Sequence, residues 1–386
     1  VRQLFKFEFE KIRTSKATIG GIVASLFILI GILFVGYIYS QNYHSQSQNV
    51  KGGYQKNIDQ TIQEKYSGDF TNEKVKIIIA DYLLSRQQEA KDEDFSFYPF
   101  YWEMGQTFIK GGIPSFSDYL NTSLENDTPL SIEDIPLKKI ETLNFKKFDK
   151  PLKLGNFVPW TDLFKVTGHV FILSSILVIL ICSQLFSEDT SKNINQLLFT
   201  TKYGRNKMNS SKIGVGIIVS VALLLFFQLI NFGVLSFLFD LSGGSSNIQT
   251  NFSFDLGDFP LAWTHWQVYF FILGLQIIGI LFIASLSFFA SALSKTPMAA
   301  FALSLAIYFL PSLLKELIRN GLVNKLLFLF PINFSNPKNV MLLLSSDNYI
   351  FDSFILNASL LFLFLLISKL VLDIISYLRM KNWKFS

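Results

Sequence analysis

Residues that carry chemistry are scarce in this chain. A single cysteine, Cys182, excludes an internal disulfide and any metal centre built from several thiolates. Three histidines, His44, His169 and His265, are scattered without the spacing of metal ligands. There is no G-x-x-x-x-G-K-[ST] phosphate loop, no H-E-x-x-H zinc helix and no G-x-S-x-G nucleophile elbow. ATP binding through a phosphate loop is thereby excluded, and no motif for a soluble hydrolase is present. Charged residues are only 16% of the total, and residues 240–267 contain neither Lys nor Arg.

What is abundant is apolar. Hydrophobic residues make up 50% of the chain, with 41 Phe, a balance suited to a lipid-embedded protein. About 20 apolar residues cross a bilayer as a helix. Six segments meet that requirement: 17–39, 166–186, 213–239, 268–293, 298–314 and 354–377. The first has no charged residue and no small-residue cleavage pattern after it, so it is expected to be an uncleaved span rather than a signal peptide. The expected fold class is an α-helical polytopic membrane protein with six transmembrane helices. One large extracellular α+β domain, residues 40–163, is expected between the first two.

Charge sets the expected orientation. Residues 40–163 hold 18 acidic and 14 basic side chains, a net of −4, which leaves +9 for the remainder. Lys and Arg concentrate on the cytoplasmic side of membrane proteins. Residues 1–16 carry Arg2, Lys6, Lys11, Arg13 and Lys16; residues 187–212 carry Lys192, Lys202, Arg205, Lys207 and Lys212; the tail 378–386 carries Arg379, Lys381 and Lys384. Both termini are therefore expected inside and 40–163 outside. Lys315, Arg319, Lys325 and Lys338 run against this rule, because they fall in a connection placed outside. The basic excess points to anionic lipid rather than nucleic acid.

Local patterns add detail. Residues 1–16 read as an amphipathic helix at the membrane interface. In the domain, Thr71 is placed to cap a helix over 71–88 whose apolar stripe is Val75, Ile78, Ile79, Tyr82 and Leu83. A polar stretch, 41–49, precedes it, and an aromatic run, 95–102, reads as core or as a ligand surface. Pro159-Trp160 marks re-entry at the membrane surface, where Trp anchors. Gln228 and Asn231, three apart in the third span, read either as glue between helices or as a candidate translocation path. Small residues over 284–292 permit close helix contact. Pro311 should kink or end the fifth span. Residues 315–350, with apolar 322–330 and 340–344, read as a re-entrant hairpin of two short helices. Lys369 and Asp373, four apart in the sixth span, are set to pair.

The cytoplasmic loop is the richest segment. Ser187 is placed to cap a short helix, with Glu188 and Asp189 in its first turn, Ile194, Leu197 and Leu198 as an apolar face, and Gly204 at its stop. Phe186, Glu188, Asp189, the Leu197–Leu198 pair, Thr200, Tyr203, Gly204, Arg205, Lys207 and Lys212 together form a pattern that resembles the intracellular loop of ABC exporter permeases of the NatB/ABCA-like branch, often called type V. The layout of six spans with a large external domain is similar to that family, and Leu329-Phe330-Pro331 resembles it loosely.

The resemblance implies that Glu188 and Asp189 open a coupling helix, that Asn195, Gln196, Leu197 and Leu198 form its docking body, and that Lys202, Tyr203, Gly204 and Arg205 form its exit turn. It further implies a separate ABC ATPase subunit that binds ATP and Mg, a second permease subunit, identical or a sibling, and an amphipathic peptide, lipid or hydrophobic drug as cargo. The chain itself would need no cofactor and would not be an enzyme. Lys/Asn/Ile/Phe-rich usage suggests a Gram-positive cell membrane, where antimicrobial-peptide export or immunity is a common role for similar proteins. Two other classes are a sensor or immunity protein whose external domain captures a peptide without transport, and a membrane-embedded enzyme. The second of these lacks a polar catalytic cluster in the sequence.

Overall fold

The structure, a computed structural model, describes residues 2–39, 52–89, 98–125, 130–146, 148–201, 204–346 and 349–382. The expected polar stretch 41–49, the start of the aromatic run at 95–97, and Lys202 and Tyr203 lie outside these residues, as does the side chain of Gln196. Among the described residues six helices are long and apolar enough to cross a membrane, as a multi-pass membrane protein requires. The residues divide into two compact units: Val1–Ile32, Val166–Asn231 and Phe271–Ser386 form one, and Leu33–Lys165 with Phe232–Phe270 the other.

In chain order the first unit begins with α1 (Arg2–Thr14) and α2 (Lys16–Leu33), which continues as a wide π-type turn to Tyr39. The second unit contains α3 (Gly52–Tyr66), strand β1 (Gly68–Asp69), α4 (Asn72–Glu89), α5 (Pro99–Phe108), α6 (Gly112–Glu125) and strand β2 (Lys153–Leu154). Then come α7 (Val158–Cys182), α8 (Gln184–Ser191), α9 (Ile194–Thr200), α10 (Lys207–Leu238), α11 (His265–Leu293), α12 (Pro297–Leu317), α13 (Leu322–Leu327), α14 (Pro337–Ser345) and α15 (Phe354–Lys381).

The described residues of the second unit are mainly helical. Among the described residues its only strands are the two-residue antiparallel pair, with Gly68 opposite Leu154 and Asp69 opposite Lys153. The Thr71 hydroxyl accepts from the Lys74 N–H at 3.2 Å, which caps α4. The whole stripe Val75, Ile78, Ile79, Tyr82 and Leu83 is buried. Phe100 stacks on Tyr66 with centroids 5.8 Å apart, so this part of the aromatic run serves as core. The sequence reading also missed a member of the unit. Residues 240–264 belong to it: the Asn247 N–H donates to the Lys153 carbonyl at 2.9 Å, and Phe252 packs edge-on against Phe108 and Phe157. Trp160 is not a surface anchor. It is fully buried in this unit, 4.6 Å from the Trp266 ring, a partner distant in sequence.

In the first unit, Thr296 caps α12 by accepting from the Ala299 N–H, with Pro297 at the first helical position. Pro311 does not end that helix, which runs on to Leu317. The ring removes only one amide, and helices among neighbours tolerate that loss. The segment after α12 forms α13, a 3-10 turn at Pro331–Ser335, and α14. Asn333 pins the turn, donating to the Leu327 carbonyl at 2.9 Å and the Phe330 carbonyl at 3.1 Å. A Cβ on Gly168 would fall 1.9 Å from the Ser335 carbonyl oxygen, so glycine is what lets α7 approach this turn. Lys369 and Asp373 pair at 2.6 Å, as their spacing predicts.

Candidate functional site

The candidate site surrounds α8 and α9. Helix α8 extends α7 after a single break at Ser183, so Ser187 is not an N-cap. It sits inside the helix and its hydroxyl donates to the Ser183 carbonyl. Glu188 and Asp189 consequently end a long helix instead of opening a short one. Ser291 of α11 stitches the break: its hydroxyl accepts the N–H groups of Phe186 and Ser187 at 3.1 and 3.0 Å and donates to the Ser183 carbonyl at 2.6 Å. This is the close contact that the small residues of 284–292 allow.

Asn193 then adopts a left-handed conformation, φ 58°, which reverses the chain and starts α9. Asn tolerates that conformation better than most residues. Helix α9 exposes Ile194 and, above all, Leu197, which is 72% exposed. Leu198 is half-buried and Phe199 buried. Asn195 points inward and donates to the Thr190 hydroxyl at 2.8 Å. The turn after α9 requires Gly204, where a Cβ would lie 1.8 Å from the Leu198 carbonyl oxygen. Arg205 leans over the Phe199 ring at 5.3 Å and donates to the carbonyl of Lys381 at 3.2 Å.

Beneath this turn lies a cluster that the sequence reading did not assemble. Asp189 is 3% exposed and accepts from Lys11 of α1 and Lys212 of α10, both at 2.5 Å. Lys212 also donates to the Leu185 carbonyl at 2.9 Å and lies 3.3 Å from Glu8, which is wholly buried. Neither Glu8 oxygen is hydrogen-bonded, so that contact is ionic proximity only. Burial pushes the Glu8 carboxyl above its usual range, against the pull of Lys212 and Lys11. Burial opposes the charge on Lys11, but Asp189 and Glu188 outweigh it and raise its pKa. Glu188 pairs with Lys192 at 2.6 Å and lies 3.6 Å from Lys11. Two acids and two bases thus lock α1, α8 and α10 together at the root of α9. The available signals were Glu8 among phenylalanines and Lys212 at the edge of an apolar run. The helix of residues 1–16 is accordingly not a simple amphipath, because its buried face carries this charge.

Gln228 and Asn231 lie elsewhere, buried among α7, α10 and α11. The Gln228 amide donates to the Thr167 carbonyl at 3.0 Å and to Gln276 Oε1 at 2.9 Å. Asn231 donates to the Thr167 hydroxyl at 3.1 Å, and Gln276 to the Thr167 carbonyl at 3.3 Å. This is the geometry of glue between helices. Their exposure to a path would require the helices to part.

Set against known proteins, the chain matches no family model, no curated protein and no solved structure.

Proposed function

We propose that this chain is the membrane permease subunit of an ATP-driven ABC exporter, working with a separate ATPase subunit that binds ATP and Mg and with a second permease subunit. In this reading α9 is the coupling element, both termini and α9 are cytoplasmic, and residues 40–163 face outward from a Gram-positive cell membrane. The cargo is an amphipathic peptide or lipid, the antimicrobial peptides being the leading class.

One observation carries the reading. Leu197 stands 72% exposed on a helix of seven residues, while the root of that helix is fixed by the buried pairs of Asp189 with Lys11 and Lys212. An exposed leucine on a rigid mount suits a docking knob. Its burial in a partner's cleft contributes about 1.5–3 kcal/mol. The mount passes displacement to α1, α7 and α10 because packed elements shift as units rather than deform. A helix that merely rests on lipid has no need of such a mount.

The test begins with an affinity pull-down from the native membrane in mild detergent, with partners identified by mass spectrometry. A phosphate-loop ATPase is expected, and recovery of the chain alone or with a histidine kinase favours the sensor reading. In the purified complex, Leu197→Asp and the double variant Leu197→Asp/Leu198→Asp should abolish transport while leaving thermal stability close to wild type for the single variant. Undiminished transport in both removes α9 from coupling.

A further inference from the structure

A groove in the first unit is built from α1, α2, α7 and α10. It encloses about 300 Å³, at the lower bound of small-ligand clefts, about 300–1,000 Å³. Its walls are Ile19, Ile22, Val23, Ile181, Val219 and Leu223, and its lining is almost wholly apolar. Ile19 and Val23 are about half exposed, so the groove opens sideways onto the surface of a helix that is apolar enough to cross a membrane.

Two polar groups interrupt this lining, and both lack partners. Arg13, also in the lining, is exposed and makes no hydrogen bond or ion pair among the described residues. Lys16, three residues on, is also exposed and makes no hydrogen bond or ion pair among the described residues. Thr18 is 2% exposed, and its hydroxyl has no hydrogen-bond partner. In a helix a threonine hydroxyl ordinarily bonds back to the carbonyl three or four residues earlier. Here it is left over in the lining of an apolar groove.

We infer that this groove holds one anionic glycerophospholipid: an acyl chain between α2 and the facing residues of α7 and α10, and the phosphate on Arg13. The occupant follows from charge and shape. An apolar slot opening sideways on a membrane-crossing helix fits an acyl chain, and the Arg13 guanidinium in its lining fits the headgroup. A zwitterionic lipid fills the slot equally well but leaves the guanidinium without net counter-charge. The inference needs the membrane and not the exporter reading. Bound there, the lipid would touch α1, the helix that Lys11 ties to Asp189.

The test uses the full chain purified in detergent. Native mass spectrometry with phosphatidylglycerol and phosphatidylcholine of identical acyl chains reads headgroup preference. Wild type should retain phosphatidylglycerol about fivefold better, the effect of roughly one cation near a phosphate. Arg13→Gln should erase that preference. Lys6→Gln, at a lysine 3.8 Å from Glu10 and outside the lining, should leave it intact. Phosphatidylglycerol with a photoreactive acyl chain should label peptides containing residues 19–23 and 219–223. Equal retention of the two lipids by wild type, an unchanged preference in Arg13→Gln, or label spread evenly over the apolar helices overturns the site. The labelling needs no variant, so a failure of any variant to fold leaves the inference testable.

Discussion

Asp189 and Asp59 are both buried carboxylates, 3% and 1% exposed, and the two units of the molecule accommodate them in opposite ways. Asp189 receives two lysines, Lys11 and Lys212. Asp59, in α3, receives only neutral donors: the Tyr98 hydroxyl, the Asn156 amide at 2.8 Å and the Asp240 N–H at 3.4 Å. Burial raises the Asp59 carboxyl to about 7; the bonds from Tyr98 and Asn156 hold it down, and the nearby Asp240 carboxylate pushes it further up. Two lysines allow a buried charge to persist, whereas neutral donors leave a group that gives up its charge near neutrality. The first arrangement suits a fixed mount at the root of a lever, and the second makes the stability of the other unit depend on pH.

The sharpest way to break this comparison is to remove a lysine. Lys212→Met leaves Glu8 without its nearest cation and Asp189 with one partner instead of two. Removing one member of a buried pair costs about 3–5 kcal/mol, because the remaining charge is uncompensated. A large drop in thermal stability in detergent is therefore expected. The double variant Asp189→Leu/Lys212→Met should recover part of it, since replacing both members by apolar groups is much milder. A Lys212→Met loss below about 1 kcal/mol would mean that the cluster holds no fixed charge.

The next effect is smaller at any one pH and tests the other carboxylate. The folded pKa of Asp59 lies above its ordinary value. As pH rises from about 4 towards 7, the unfolded chain releases this proton while the folded chain keeps it, so the unfolded state binds fewer protons and stability falls with pH. The slope is about 1.4 kcal/mol per pH unit for one proton, about 4 kcal/mol over the whole window. Below that window Asp59 costs nothing; above about pH 7 the penalty is complete. Asp59→Asn keeps an oxygen for the Tyr98 and Asn156 donors, gives up the acceptor of the Asp240 N–H, carries no charge, and should flatten the fall between pH 5 and 7 in thermal melts. An unchanged slope in that variant assigns the dependence to another group.

These carboxylates also show what the sequence could and could not reveal. Spans are legible because about 20 apolar residues in succession have few other uses. The Thr71 cap and the α4 stripe are legible because their geometry is complete within one helix. The Lys11–Asp189 pair joins residues 178 apart, and the Asp59–Asn156 bond joins residues 97 apart, so no local period contains them. The local pattern therefore puts Asp189 in the first turn of a short helix, whereas it is buried near the end of α8, before α9 begins. Trp160 looks like a lipid anchor in the sequence because nothing local places Trp266 beside it. Of the predicted docking residues, Leu197 faces outward and Asn195 inward, a division set by the left-handed break at Asn193 that residue type alone did not specify.

The smallest effect concerns a third way of burying polarity, with amides alone. Thr167, Gln228, Asn231 and Gln276 bond mainly to one another and carry no charge. Hydrogen bonds between helices in membrane proteins contribute about 0.6 kcal/mol each, with about 1.7 as the upper end. Gln228→Leu removes one donor to the Thr167 carbonyl, which still accepts from Gln276, and takes the donor away from the buried Gln276 Oε1. A loss of about 0.5–1.5 kcal/mol is expected, well below that of Lys212→Met. Under the proposed exporter reading, transport by the complex separates glue from path. If Gln228 only holds α7, α10 and α11 together, Gln228→Leu lowers the melting temperature slightly and leaves cargo preference unchanged. A variant with normal stability and altered cargo preference places Gln228 on the path instead, and the helices around Thr167 must then part during the cycle.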